Sequence, residues 1–200
     1  IWRGDSNDGG LKSVEVDATN ALTVSSVGTY DLYNWSVKRA GRANGTTTGY
    51  TFYSTQTTAQ INFFGVKLEN TFGTCFFGGG QIKNAYGVGY LNGLYGGVAS
   101  YPVVHNSYFE SKTSGIGMYV PYTNIYNSTG VSNSGVGISC NGNVFESTGI
   151  SISNTGILAQ RMNKCLGIST SGTGLSGSCR DCMGISTSGV GGGAGTFYNS

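Results

Sequence analysis

The chain has 200 residues, of which 35 are Gly and only 10% are charged, and its formal net charge is +2. Ordinary globular proteins carry about 25% charged residues and about 7% Gly, whereas disordered chains are rich in net charge and poor in aromatic residues. The thirteen Tyr and nine Phe therefore indicate a packed core, and the low charge argues against a nucleic-acid partner.

The predicted elements follow from a repeat. Short segments that open with glycine recur every 17 to 24 residues, at Gly28, Gly49, Gly73, Gly93, Gly115, Gly135, Gly156, Gly174 and Gly191. A fixed period of about 20 residues is typical of a solenoid. We therefore expect a lead-in segment over 1–27 and a body of about eight coils over 28–200. No apolar run approaches the roughly 18 residues of a membrane helix, so membrane insertion is not expected.

A second motif lies in the middle of each unit, where an apolar residue, a polar residue and a Gly-apolar pair recur at fixed spacing. It is written Ile82-x-Asn84-x-x-Gly87-Val88 and recurs around Asn127, Glu146, Lys164 and Asp181. β-Branched and aromatic residues between turn-forming Gly, Asn and Ser predict two or three short strands per unit. Frequent Gly disfavours helix, so equivalent strands of successive units are expected to stack about 4.8 Å apart.

Stacking turns each motif position into a column. We expect two aliphatic columns in the core, namely Ile82, Val104, Ile125, Val144 and Met162, and Val88, Val131, Ile150, Ile168 and Ile185. A third column is predicted to be an asparagine ladder at a bend, formed by Asn62, Asn84, Asn106 and Asn127. Stacked side-chain amides can hydrogen-bond to one another in such a ladder.

These columns resemble those of the right-handed parallel β-helix family, typified by pectate lyases, phage tailspikes and tail-fibre shafts, over about residues 28–191. The run that follows Cys165, nearly repeated after Cys182, resembles repeats of phage and environmental viral structural proteins. The resemblance implies an all-β, single-stranded right-handed parallel β-helix. It also implies a virion tail or extracellular location, a homotrimer and contact with other virion tail proteins.

Cysteine and histidine chemistry is disfavoured. Cys179 and Cys182 have the spacing of a metal or redox motif, but zinc needs a second such pair or histidine ligands, and His105 is the single histidine. By register, Cys165 and Cys182 share a column of small residues, so we expect core packing, no metal and no cofactor. The lack of histidine also disfavours a Ser-His-Asp hydrolase.

Glu69 and Glu110 are the candidate catalytic residues. Inverting glycosidases hold two carboxylates about 6.5–9.5 Å apart and retaining ones about 5–5.5 Å apart. Register places this pair on one face two coils apart, at about 9–10 Å. The neighbours Lys67 and Lys112 favour the alternative of a solvated charged face. A lyase is not expected, because no motif matches the calcium-binding acids and catalytic base that the resemblance to pectate lyases would imply.

Aromatic residues are candidate glycan-binding residues, because sugars pack their CH faces on exposed rings while their hydroxyls meet amides and hydroxyls. Phe64, Tyr86 and Tyr108 occupy one motif position in three successive units, and Tyr119 and Tyr126 lie nearby in sequence. The alternative for the first three is an inward-facing aromatic stack in the core.

Paired serines predict an outward hydroxyl array toward the C-terminus, at Ser132/Ser134, Ser151/Ser153, Ser169/Ser171 and Ser186/Ser188. Ser169, Ser171, Ser186 and Ser188 are its candidate binding residues, for a glycan lattice or for ice. A solvated face, or a contact between the chains of a trimer, is the alternative.

Three functions follow from these observations. The first is a virion or extracellular fibre segment that presents a surface for bacterial surface polysaccharide or another host glycan. The second is a tailspike-type depolymerase, a glycoside hydrolase that uses Glu69 and Glu110 as acid and base. The third is a secreted ice- or glycan-binding solenoid. The low charge and single histidine favour the first over the second, and the irregular coil lengths disfavour ice, which requires a regular lattice.

Overall fold

The computed structural model describes residues 2–3, 12–16, 20–39, 49–97, 101–193 and 197–198, and describes side chains over 21–39, 49–97 and 101–193. Within these residues every regular element is a β-strand, and the strands pair in parallel. The described part of the chain contains no helix long and apolar enough to cross a bilayer. The prediction of an all-β parallel solenoid with coils of about 20 residues is confirmed.

The strands, numbered in chain order, form three faces. Face 1 contains β3 (Asn20–Val24), β6 (Tyr50–Ser54), β9 (Thr74–Gly78), β12 (Leu94–Tyr95), β15 (Met118–Val120), the first parts of β18 (Ile138–Phe145), β20 (Ile157–Asn163) and β22 (Thr173–Arg180), and β24 (Val190–Gly192). Face 2 contains β1 (Trp2–Arg3), β4 (Thr29–Tyr33), β7 (Gln60–Phe64), β10 (Gln81–Lys83), β13 (Val103–His105), β16 (Asn124–Tyr126), the second parts of β18, β20 and β22, and β25 (Phe197–Tyr198). Face 3 contains β2 (Lys12–Val16), β5 (Trp35–Arg39), β8 (Lys67–Asn70), β11 (Tyr86–Gly89), β14 (Tyr108–Ser111), β17 (Thr129–Ser132), β19 (Thr148–Ser151), β21 (Leu166–Ser169) and β23 (Met183–Ser186).

Stacking is continuous along the described chain. β1, β2 and β3 pair in parallel with β4, β5 and β6, so the solenoid extends into the segment 1–27 that the sequence predicts as a lead-in. Faces 1 and 2 merge toward the C-terminus because β18 and β20 run through both, with a bulge where the chain turns.

The core lies between the three faces, since alternate residues of each strand point inward. The first predicted aliphatic column is confirmed on face 2, where Ile61 joins it and every member is 0–3% exposed: Ile61, Ile82, Val104, Ile125, Val144 and Met162. Face 1 supplies a second buried column with 0–1% exposure: Phe52, Phe76, Leu94, Met118, Ile138, Ile157 and Leu175. These two columns form most of the hydrophobic core.

The predicted column of Val88, Val131, Ile150, Ile168 and Ile185 exists on face 3, but its predicted orientation is wrong. These side chains point outward, and Ile185 is 44% exposed. The residue before each of these on the same strand points inward and is glycine. A Cβ on Gly149 would lie only 2.2 Å from the carbonyl oxygen of Gly156. Around Gly149, face 3 therefore approaches the opposite wall too closely to admit a larger side chain.

The bend after face 2 is a column of residues in the left-handed region. Its members have φ between 42° and 64°: Asn34, Gly65, Asn84, Asn106, Asn127, Glu146, Lys164 and Asp181. Asn tolerates this conformation better than most residues. The predicted ladder is confirmed where Asn127 Nδ2 donates to Asn106 Oδ1 at 3.0 Å. Asn62 is wrongly assigned to it, because Asn62 lies on face 2 and donates to Asp31.

Candidate functional site

The outer surface of face 3 brings together four of the predicted site residues. Tyr86 and Tyr108 are paired in register on neighbouring strands. Two residues further along the strands, Val88 lies between Glu69 and Glu110. The two tyrosine rings are stacked, with centroids 5.0 Å apart and planes at 10°. Tyr86 is 43% exposed, so the alternative of an inward-facing core stack is wrong for this pair.

Phe64 does not share this column, and its predicted alignment is wrong. Strand β7 runs for five residues where β10 runs for three, so every later position in that coil is shifted by two. Lys67 consequently aligns with Tyr86. Phe64 instead ends face 2, where its ring stacks on Tyr33 at a centroid distance of 4.6 Å.

The two glutamates are held by neighbours within the fold. Tyr108 Oη donates to Glu110 Oε2 at 3.0 Å, and Lys112 Nζ lies 2.5 Å from Glu110 Oε1. Desolvation, reinforced by the hydrogen bond to Glu110, raises the pKa of Tyr108 to about 12. Glu69 faces Lys38 at 3.9 Å. Two strand spacings put the glutamate backbones roughly 10 Å apart, so their catalytic role stays a prediction.

A gap in the left-handed column lies beside Tyr86. Gly65 occupies a position that carries an amide in the coils on either side, so no side chain lies between Asn34 and Asn84. Within the described residues, neither of these side-chain amides has a hydrogen-bond partner. Together with Val66, Lys67 and Tyr86 they line an open groove of about 430 Å³. We call this groove the Gly65 gap; the sequence did not indicate it, because the shift in β7 hid the glycine.

Tyr119 and Tyr126 lie on the other two faces. Tyr119 extends an outward aromatic stack on face 1, with its ring centroid 4.8 Å from that of Tyr95. Tyr126 is sandwiched on face 2 between His105 at 4.7 Å and Phe145 at 5.0 Å. The predicted aromatic residues therefore border three surfaces and do not form one site.

The predicted hydroxyl array is wrong for the first serine of each pair. These serines are buried or half-buried: Ser132, Ser151, Ser169 and Ser186. The Ser169 hydroxyl donates to the carbonyl of Asn154 at 2.6 Å and accepts from the Gly172 N–H at 2.8 Å, and Ser186 is held in the same way. Each hydroxyl thus satisfies the backbone of a tight turn. Ser171 and Ser188 are exposed, and their binding role stays a prediction.

The predicted column of small residues is confirmed and forms a hydrogen-bonded ladder. The N–H of Ala85 donates to Ser107 Oγ, that of Ser107 to Ser128 Oγ and that of Ser128 to Ser147 Oγ, each at 3.1 Å. Buried Cys165 and Cys182 continue the column. All five cysteines are buried and free, and the described residues contain no group of His, Cys, Asp and Glu side chains that could hold a metal.

We expect the five thiols to resist alkylation in the folded protein. Desolvation by burial raises the pKa of Cys165 to about 11 and that of Cys179 to about 12, so the thiolate fraction falls on the order of 100-fold or more relative to an ordinary thiol. Mass spectrometry after iodoacetamide treatment at pH 8, with and without guanidinium chloride, measures this protection. An exposed Ser171→Cys variant should react rapidly as a control; rapid native labelling of Cys179 would contradict the expectation.

No family model, curated protein or solved structure gives a significant match to the chain. Function is therefore inferred from the chemistry of the surface. The Gly65 gap is the best candidate for a binding site, because one open groove combines the exposed Tyr86 ring, two side-chain amides without partners among the described residues, and Lys67.

Proposed function

We propose that this chain is a segment of a virion or extracellular fibre whose β-solenoid shaft presents a glycan-binding surface at the Gly65 gap. The observation that carries the proposal is the interrupted amide column beside the exposed Tyr86 ring. Bacterial surface polysaccharide, or another host glycan, is the proposed ligand. By the family resemblance, the assembly is a homotrimer that contacts other virion tail proteins.

The chemistry of the gap suits a sugar unit. A sugar ring packs its CH face on an exposed aromatic ring and offers hydroxyls around its rim. Asn127 donates a hydrogen bond to Asn106 in their part of the column, whereas Asn34 and Asn84 are separated by a residue without a side chain. Each amide carries two donors and an acceptor, so both can exchange hydrogen bonds with hydroxyls of a ligand seated over Gly65.

Filling the gap should weaken glycan binding while preserving the fold. Gly65→Asn introduces the residue that the same column carries at Asn34, Asn84 and Asn106, at a φ of 64°, a conformation that Asn tolerates. The nearest clash for a new Cβ is the movable amide oxygen of Asn34 at 2.8 Å. We expect polysaccharide binding, measured by calorimetry or on a glycan array, to fall at least about tenfold, as one lost aromatic or bidentate contact implies.

Two further variants delimit this result. Tyr86→Ala should weaken binding as Gly65→Asn does, whereas Tyr122→Ala, which removes a ring that is 54% exposed at another turn, should leave it unchanged. Thermal unfolding confirms that each variant remains folded. Unaltered binding in both Gly65→Asn and Tyr86→Ala would exclude the gap as the glycan site.

A depolymerase remains the second candidate, because the register aligns Glu69 and Glu110 on one face near the Gly65 gap. Each carboxylate faces a lysine, and Glu110 also accepts from Tyr108, which favours a stabilising role over catalysis. Release of oligosaccharide during the binding assay, lost in Glu69→Gln or Glu110→Gln, would establish the hydrolase. Binding without release supports the fibre.

A further inference from the structure

The C-terminal coils carry a separate polar surface on face 2. Strands β18, β20 and β22 place six outward-facing residues in a grid of two by three: Asn143 and Phe145, Arg161 and Asn163, Ser178 and Arg180. They line an open cavity of about 580 Å³, with buried Met162 and Cys179 beneath them. This volume falls in the range of about 300–1,000 Å³ typical of small-ligand sites. We call the surface the arginine groove.

The two arginines of the groove are free to bind an anion. Arg161 and Arg180 are exposed, and neither guanidinium has an ion-pair or hydrogen-bond partner within the described residues. The nearest carboxylates along the chain lie in the bend, where Glu146 faces Lys164 at 3.9 Å and Asp181 pairs with neither arginine. Neighbouring strands and a two-residue offset put the two backbones roughly 8 Å apart, so both long side chains can reach one anion.

The rest of the groove provides a flat apolar surface and amides. Phe145 stacks on Tyr126 with the rings 7° from parallel, which fixes its orientation, and it remains half-exposed. Asn143 Nδ2 donates to Asn124 Oδ1 at 2.9 Å, so its own amide oxygen is left to accept from a ligand. Bulges in β18 and β20 lie directly before Asn143 and Arg161, a feature that re-aims outward side chains near binding sites.

We propose that the arginine groove binds a sugar unit that carries a carboxylate, of the hexuronate type. A guanidinium binds a carboxylate through two parallel hydrogen bonds. The Phe145 ring packs against the CH face of the sugar, and the amides of Asn143 and Asn163 hydrogen-bond to its hydroxyls. A neutral sugar leaves both charges unused, and a simple anion leaves the ring unused. The inference deepens the proposed function by naming a ligand class, but it depends on different residues from the Gly65 gap.

Calorimetry with trigalacturonate, neutral galactotriose and inorganic phosphate tests the proposal. We expect trigalacturonate to bind the wild type at least tenfold more tightly than galactotriose does. Arg161→Gln and Arg180→Gln should each weaken trigalacturonate binding about tenfold or more, while Phe145→Leu should weaken trigalacturonate and leave phosphate unaffected. Lys164→Gln is the matched control, because it removes one exposed positive charge in the same coil outside the groove.

Each outcome decides the proposal. An equal loss in Lys164→Gln would show that only general electrostatics attracts the ligand, and phosphate binding as tight as that of trigalacturonate would show a simple anion site; either result overturns the proposal, as does unchanged binding in both arginine variants. Gly65→Asn separates this site from the proposed function. That variant should retain trigalacturonate binding at the groove, so loss at one site can be measured while the other is intact.

Discussion

Gly149→Ala should lower the free energy of unfolding by at least about 3 kcal/mol, near or beyond the upper end of the usual range for overpacked cores. The new Cβ would lie 2.2 Å from the carbonyl oxygen of Gly156 and 2.5 Å from Cγ1 of Ile157. That oxygen accepts from the N–H of Ile138 at 2.9 Å. Moving this oxygen aside would therefore break a hydrogen bond between stacked strands of face 1, so local relaxation cannot relieve the overlap without a further loss of stability.

Chemical denaturation followed by far-ultraviolet circular dichroism measures this effect. Gly28→Ala is the matched control, because its Cβ would meet only the Tyr30 ring, at an ordinary distance of 3.7 Å, and we expect a change below about 0.5 kcal/mol there. A Gly149→Ala midpoint equal to that of the wild type would mean that the wall of the solenoid has more room than this geometry allows.

The architecture could be predicted from the sequence because stacking forces equivalent residues into columns, and columns leave a visible period. The aliphatic column through Ile82 and Val144 and the amide pair at Asn106 and Asn127 were identified for this reason. Orientation was harder to predict. Hydrophobicity placed Ile150 inside, whereas the backbone of the opposite wall lies so close to its neighbour Gly149 that only a glycine fits at the inward position.

The candidate site was predicted only in part, because the Gly65 gap lies where the repeat is interrupted. Two additional residues in β7 moved Phe64 out of the column and left Gly65 in the bend. The spacing between motifs is measured over a whole coil, so it does not reveal such a local insertion. Ser169 was misplaced for another reason, since its hydroxyl satisfies the turn that follows the strand, a requirement that depends on backbone geometry.

Phe109 is a fully buried aromatic residue on the inward side of face 3, and we expect Phe109→Ala to cost about 3–5 kcal/mol of unfolding free energy. Its ring is 0% exposed and meets Phe76 edge to face at a centroid distance of 6.2 Å. The strands on either side carry Gly87 and Gly130 at the same inward position. The ring fills the space that the missing side chain of Gly87 leaves. Phe72→Ala is the control, because Phe72 is 46% exposed and its truncation should cost less than about 1 kcal/mol of unfolding free energy.

A double-mutant cycle tests whether the ring and the glycine share one space. A Cβ on Gly87 would lie 2.7 Å from the Phe109 ring and 2.9 Å from Cys75 Sγ, so Gly87→Ala should destabilise the wild type. With Phe109→Ala the larger of these obstacles is gone, and the added methyl partly fills the cavity. We therefore expect the double variant to be more stable than the sum of the single effects by at least about 1 kcal/mol, within the range of contacting residues. If the two changes in unfolding free energy were strictly additive, the Phe109 ring would not be filling the space beside Gly87.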